Sequence, residues 1–170
     1  SSALEQEYAC VTEMSPYGYM GQPDRCQDSG SFTDDDEQPA LTAATSVGPA
    51  YLGGSNQGFL HDDAVLFVVA MTDEDEQLLG TYASQIANEL AAAKGGDPEK
   101  VVFLGVGGGS LCAGPYGDAQ KASNLQQVSS HFESVDRGVF WDLCQGNLEG
   151  AFAEAIEILD SACDEFVPID

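Results

Sequence analysis

The chain has 170 residues, enough for one ordinary hydrophobic core, so a single main domain is expected. It contains 5 Lys and Arg against 29 Asp and Glu, which gives a formal net charge of −24. A field of that sign repels phosphate backbones and anionic lipid surfaces, so nucleic acids and membrane surfaces are poor partners, whereas cations and basic proteins are favoured. No apolar run approaches 18 residues, so no membrane insertion is expected. The acidity also has a plain alternative explanation, which is solubility or life in high salt.

The first 36 residues differ in character from the rest of the chain. Residues 1–36 are rich in turn residues and acids and show no clear hydrophobic period. They are predicted to form a loop-rich segment pinned by a Cys10–Cys26 disulfide. An α/β domain is predicted at residues 37–170. Its first element, at residues 37–50, is predicted to be a short helix with Pro39 in its first turn, where the missing N–H of proline is harmless.

Residues 64–71 form an apolar run without alternation. Such a run is typical of a strand that is covered on both faces of a parallel sheet. It is followed at once by Thr72, Asp73, Glu74, Asp75 and Glu76. A strand that delivers carboxylates at its C-terminal end is how open α/β sheets build metal and ligand sites, and oxygen atoms are the ligands that Mg²⁺ and Ca²⁺ prefer.

The remainder of the chain alternates between helical and extended patterns. Apolar residues at three- and four-residue intervals predict a helix from Leu79 to Ala93, and a strand follows at residues 101–106. Residues 119–132 predict a weaker helix, residues 138–143 a strand, and residues 148–166 a final amphipathic helix. This order predicts right-handed crossovers and an open, mostly parallel α/β sheet with helices on both faces.

The cysteines are scattered, and none forms a Cys-x-x-Cys pair or has a histidine at ligand spacing. Disulfides are therefore the expected use, and they predict an extracellular, cell-surface or periplasmic location. Cys112 and Cys144 follow neighbouring strands at the same pole of the sheet, so we expect them to pair. Cys163 would lie about 24 Å along the last helix from Cys144, beyond the reach of a disulfide. Five is an odd number, and Cys163 is predicted to be free or to bridge to another chain.

Residues 56–76, NQGFLHDDAVLFVVAMTDEDE, resemble the von Willebrand factor type A domain. The similarity is to secreted or surface-anchored bacterial members that read roughly N-x-GFLR-DDA-x-L, then an apolar strand, then TDED. It covers roughly residues 37–166 and matches the C-terminal half of that three-layer fold, so the N-terminal part of the fold is apparently missing. The chain has no Asp-x-Ser-x-Ser motif after a buried strand, and we interpret residues 28–31 as a Ser/Gly loop.

The resemblance implies a metal-ion-dependent adhesion site. Asp73 matches the family's metal ligand at the end of this strand, with Glu74 or Asp75 nearby, and Thr33 lies near the position of the family's threonine ligand. The expected cofactor is Mg²⁺ or Ca²⁺, whose open coordination position accepts a carboxylate from a protein partner.

Two functions follow, and they belong to different classes. The first is an extracellular, metal-dependent protein-binding or adhesion module. The alternative is a structural subunit or processed fragment, without a working metal site, that assembles with another chain through its sheet edge. That edge would be filled by a second chain, by a symmetry mate, or by the N-terminal thirty-odd residues. An enzyme is not predicted, because no nucleophile with an oriented base and no cofactor fingerprint is visible.

Overall fold

The computed structural model describes residues 37–54, 56–78, 81–114 and 117–165. Three parallel strands form the main sheet in the order β1-β2-β5, namely β1 (Leu66–Met71), β2 (Val101–Gly107) and β5 (Gly138–Asp142). A short antiparallel pair, β3 (Cys112–Gly114) and β4 (Gly117–Ala119), follows β2. The predictions for Thr33, for residues 28–31 and for a Cys10–Cys26 disulfide lie outside the described residues.

Five helices accompany the strands in the order that the sequence predicts. They are α1 (Pro39–Ser46), α2 (Pro49–Leu52), α3 (Ala83–Ala92), α4 (Ser123–Glu133) and α5 (Leu148–Glu165). The helix predicted over residues 37–50 is two helices, because Pro49 restricts the preceding residue and Gly48 is extended, with φ −73° and ψ 160°. The coarse prediction of an α/β fold with a parallel sheet is confirmed.

Helices pack on both faces of the sheet, as expected. One face is covered by α1, α3 and α4, whose buried core members include Ala40, Ala44, Ile86, Leu90, Leu125, Val128 and Phe132. The other face is covered by α5, whose Ala151 and Ala155 pack against Leu104, Val106 and Val139. Every residue of β2 is buried, so β2 is the central strand of the described sheet.

The prediction that residues 64–71 are covered on both faces is wrong for β1. Leu66, Val68 and Ala70 are buried in the core that α1 shares, but Val69 is 40% exposed and Met71 is 42% exposed on the other face. The reason is the position of α5, which packs over β2 and β5. Among the described residues, no helix covers Val69 or Met71 on that side, whereas Phe67 at the start of β1 is partly buried against the cluster that includes Ala151 and Ala155.

The start of β5 lies directly against the end of α4. A Cβ atom added at Gly138 would be 2.5 Å from the Glu133 nitrogen and 2.6 Å from the Ser129 oxygen, which are backbone atoms that cannot rotate away. We expect Gly138→Ala to lower the free energy of unfolding by about 2 kcal/mol through this overpacking, as measured by urea denaturation.

Gly114→Ala is the matched control for this substitution. A Cβ atom added at Gly114 would have nothing within 4 Å, so we expect a change within about 0.5 kcal/mol. If both variants unfold at the same urea concentration, the contact between α4 and β5 is looser than the structure shows.

Candidate functional site

The acidic segment predicted as a metal site lies at the carboxyl end of β1. The Thr72 N–H continues the ladder by donating to the Val106 oxygen at 3.0 Å. The Thr72 hydroxyl then turns the chain, because it accepts the Glu74 N–H at 3.0 Å and donates to the Glu37 carboxylate. The carboxylates that follow therefore leave the sheet at the edge where the sequence places them.

Asp75 caps a helix that is distant in sequence. Its Oδ1 accepts the N–H groups of Asn124 at 2.7 Å and Leu125 at 3.4 Å, both in the first turn of α4. The residue before that helix, Ala122, has no side chain that could do so. A carboxylate at a helix N-terminus satisfies unpaired donors and complements the helix dipole.

Glu76 caps a second helix in the same way and is fully buried. Its two carboxylate oxygens accept the N–H groups of Ala40 and Leu41, each at 2.9 Å, in the first turn of α1. Burial raises the pKa of Glu76 above its usual 4.5, against the opposing effect of these two hydrogen bonds. Sequence reasoning missed this role, since Gln38, the residue before α1, makes no side-chain cap and nothing in the local sequence points to Glu76 in its place.

The three predicted metal ligands of this segment are in different situations. Asp75 is engaged as a helix cap, and the Glu74 carboxylate accepts the Gln120 side-chain amide at 3.4 Å. The Asp73 side chain is exposed, and its carboxylate accepts no hydrogen bond from the described residues. Asp73 is thus the one predicted ligand on this loop whose carboxylate accepts no hydrogen bond from the described residues.

The described part of the chain does not bring together a complete metal site. It contains no group of three or more His, Cys, Asp or Glu side chains that could hold a metal ion. Mg²⁺ and Ca²⁺ take about six or more oxygen ligands, so Asp73 would need help from waters and from residues beyond those described. Metal binding at Asp73 stays a prediction.

A disulfide and an aspartate connect the loops that follow β2 and β5. Cys112 and Cys144 form the expected bridge, with an S–S distance of 2.08 Å and a Cα–Cα distance of 6.0 Å. Beside it, Asp142 accepts the Gly109 N–H at 2.8 Å and the Cys144 N–H at 3.0 Å. The Gly109 hydrogen bond in particular holds the pKa of Asp142 below its usual range. Asp142 was not a predicted site residue.

Cys163 is exposed on α5 and has no disulfide partner among the described residues. Its predicted role as a free or interchain thiol stays a prediction.

Among the described residues, β1 pairs only with β2, so no described strand lies at its outer edge. Successive N–H groups of a strand point to opposite sides. Since the Thr72 N–H points to β2, the N–H and C=O groups of Phe67, Val69 and Met71 point away from it. Unpaired groups along an apolar edge strand are a ready template for another strand.

Exposed apolar side chains lie beside this edge, and we call them the open face: Val69 and Met71 on β1, with Leu148, Phe152 and Ile156 on α5. Val69 and Met71 are in register with Leu104 and Val106, which lie under α5. These β1 residues are therefore on the α5 side of the sheet.

The orientation of α5 completes the open face. A Cβ atom at Gly150 would be 2.9 Å from the Trp141 ring, so that side of α5 lies against β5. Phe152 and Ile156 project from the opposite side of the helix and so face β1.

Comparison with known proteins returns no family model, no curated protein and no solved structure that matches this chain. The von Willebrand factor type A resemblance therefore stays an expectation drawn from residues 56–76. None of the described helices has the length and apolarity needed to cross a membrane.

Proposed function

We propose that this domain is an extracellular protein-binding module whose sheet is extended by a strand of a partner polypeptide at the edge of β1. The observation that carries this proposal is the apolar outer edge of β1, which has no partner among the strands that the structure describes and where Val69 and Met71 are 40% and 42% exposed. Strand addition of this kind draws affinity from main-chain hydrogen bonds and specificity from alternate side chains.

The charge of the chain favours a different polypeptide over a second copy. Two copies would each bring a net charge of −24 to the contact, and the repulsion opposes association. A partner strand with basic residues would instead be attracted. The Cys112–Cys144 disulfide supports a location in an oxidising compartment outside the cytosol.

Proline substitution at the edge tests the proposal. The Val69 N–H points away from β2, so Val69→Pro removes a donor that only an added strand would use. As a probe we choose a synthetic peptide of alternating Val and Thr with lysines at both ends. We expect a saturating concentration to raise the Tm of the wild-type protein by about 5 °C, and we expect no rise for Val69→Pro.

Val69→Thr is the matched control, because it replaces a methyl group by a hydroxyl and so reduces the apolar side-chain surface but keeps the backbone N–H. The Tm of this variant should still rise with the peptide. Met71→Pro provides a second outward position in case Val69→Pro fails to fold. A monodisperse monomer in light scattering, melting cooperatively and unaffected by the peptide, would show that the chain completes its own sheet.

A second candidate function is the metal-dependent adhesion that the family resemblance implies. The observation that favours it is the exposed Asp73 carboxylate, which accepts no hydrogen bond from the described residues, at the carboxyl end of β1. We propose that Asp73 provides one oxygen ligand to Mg²⁺ or Ca²⁺, with the other protein ligands coming from the bound partner.

Calorimetric titration with Mg²⁺ and Ca²⁺ separates this candidate from simple strand addition. We expect weak binding to the protein alone, in the millimolar range typical of sites with few protein ligands, and loss of that binding in Asp73→Ala. Asp118→Ala removes the same charge from another exposed position and is the control. Equal binding by wild type and Asp73→Ala would remove Asp73 from any site.

A further inference from the structure

We propose that the partner is a strand–helix unit with basic polar residues, whose strand pairs with β1 and whose helix covers the open face. This inference rests on the proposed function, because it specifies the partner at the same edge. Beyond the strand, it specifies that the partner has a helix and that the charge of that helix is positive. Its starting observation is that, within the part of the chain that the structure describes, β1 has no strand at its outer edge and no helix over Val69 and Met71.

The handedness of the fold determines which face a partner helix occupies. The chain passes from β1 to β2 to β5 in one direction, and its right-handed crossovers place α3 and α4 on the same face. Consider a partner strand that pairs with the outer edge of β1 and whose chain continues to positions still farther from β1. That chain crosses the sheet in the direction opposite to the path from β1 to β5. The same handedness places its following helix on the opposite face, which is the face that carries Val69, Met71 and α5.

The dimensions of the open face suit one helix. Val69 and Met71 form its floor, and Phe152 and Ile156, which are 36% and 48% exposed, form a wall on one side. The apolar stripe from Leu148 to Ile156 extends about 12 Å along α5, which a partner helix of about 8 residues or more spans. Parallel strands are almost always covered on both faces, and one occupant with a strand and a helix would supply both elements that the described residues leave out at β1.

The charges around the open face determine the polarity of the occupant. Glu149 lies three residues before Phe152, and Asp160 lies four residues after Ile156, so both acids lie on the same side of α5 as the apolar stripe. Asp73 and Glu74 follow the end of β1. The rim of the open face is therefore negative, as is the whole chain, and it favours Lys and Arg at the margins of the partner helix.

Three synthetic peptides test the inference on the full chain. The first carries an apolar strand, a turn and an amphipathic helix with lysines on its polar face. The second replaces those lysines by glutamates, and the third is the strand alone. We expect the basic strand–helix peptide to bind at least about tenfold more tightly than the strand alone, with affinity falling as salt rises. The acidic peptide should bind more weakly than the basic one.

Variants of α5 separate the helix contact from the strand contact. We expect Phe152→Ser and Ile156→Ser each to weaken binding of the basic strand–helix peptide by about tenfold and to leave binding of the strand alone unchanged. Tyr82→Ser, which alters an exposed aromatic residue outside the open face, is the control and should change neither affinity.

The possible failures are distinguishable. If the strand alone binds and the attached helix adds nothing, or if the α5 variants have no effect, this inference is overturned while strand addition stands. If neither peptide binds, strand addition itself fails. Equal affinity of the acidic and basic helices would overturn the charge of the partner. A stable dimer in light scattering that Ile156→Ser dissociates would instead assign the open face to a second copy of the chain.

Discussion

Replacing Glu76 by alanine is expected to lower the free energy of unfolding by about 3 kcal/mol at neutral pH, since bonds to a charged acceptor contribute roughly 1.5–3 kcal/mol each. The buried carboxylate accepts two backbone N–H groups in the first turn of α1, and alanine leaves both without a partner. The desolvation that raises the pKa of Glu76 offsets part of this contribution. Urea or thermal denaturation measures the difference.

Two further variants make the Glu76 experiment specific. Glu89→Ala removes one exposed carboxylate from α3 and should change the stability by less than about 0.5 kcal/mol. Glu76→Gln keeps one oxygen acceptor and should fall between wild type and Glu76→Ala. If Glu76→Ala is no less stable than Glu89→Ala, the carboxylate does not anchor α1.

The raised pKa of Glu76 has a defined consequence for stability against pH. The folded state holds this proton at a higher pH than the unfolded state, where the pKa is near 4.5. The stabilisation that the folded state gains by holding this proton more tightly is therefore fully present below pH 4.5. It is lost as the pH rises through the raised pKa of Glu76 in the folded state. We expect the stability of wild type relative to Glu76→Gln to decline across that interval. Parallel pH profiles for the two proteins would contradict the shift.

The position of the acidic segment could be predicted from sequence, but the roles of its members could not. An apolar strand followed by TDEDE places carboxylates at one end of a parallel sheet whatever the details of packing. Whether a carboxylate is available depends on which helix N-termini reach that end. Asp75 meets α4 some 49 residues later, and Glu76 meets α1 some 36 residues earlier. No local pattern encodes such pairings, which left Asp73 and Asp75 indistinguishable.

The exposure of β1 illustrates a second limit. The uninterrupted apolar run at residues 64–71 predicts burial on both faces, and the run itself is a correct sign of a parallel strand. The lateral position of α5 determines whether the second face is covered, and helical periodicity gives no information on that position. The difference between the predicted burial and the observed exposure is informative, because an exposed apolar strand indicates a surface to which a partner can bind.

The Cys112–Cys144 pair was predictable because it depends only on topology. Alternation of strands and helices makes the sheet parallel, and parallel neighbours place the ends of β2 and β5 at the same pole. The role of Asp142 was not predictable in the same way. Its hydrogen bond to Gly109 depends on the path of the glycine-rich loop after β2, which sequence analysis does not supply.

Removing the Cys112–Cys144 disulfide by the double substitution Cys112→Ser and Cys144→Ser is expected to lower the free energy of unfolding by about 3.5 kcal/mol. The bridge joins residues separated by 32 positions, so its loss restores considerable freedom to the unfolded chain. Asp142 accepts the N–H groups of Gly109 and Cys144 within the same loops, and these bonds should keep the native state folded in the variant. Denaturation of wild type and variant, each with and without reductant, provides the measurement.

The reductant makes this comparison discriminating, because the disulfide contribution must disappear from wild type and be absent from the variant. Reduced wild type should therefore unfold at nearly the same denaturant concentration as the reduced double variant, and any shift that reductant still causes in the double variant reports the predicted Cys10–Cys26 bridge. Cys163→Ser is the matched control, since Cys163 is exposed and has no disulfide partner among the described residues, and it should retain the full response. If wild type and the double variant respond equally to reductant, the Cys112–Cys144 bridge contributes nothing to stability, and the loops after β2 and β5 would then be held chiefly by Asp142.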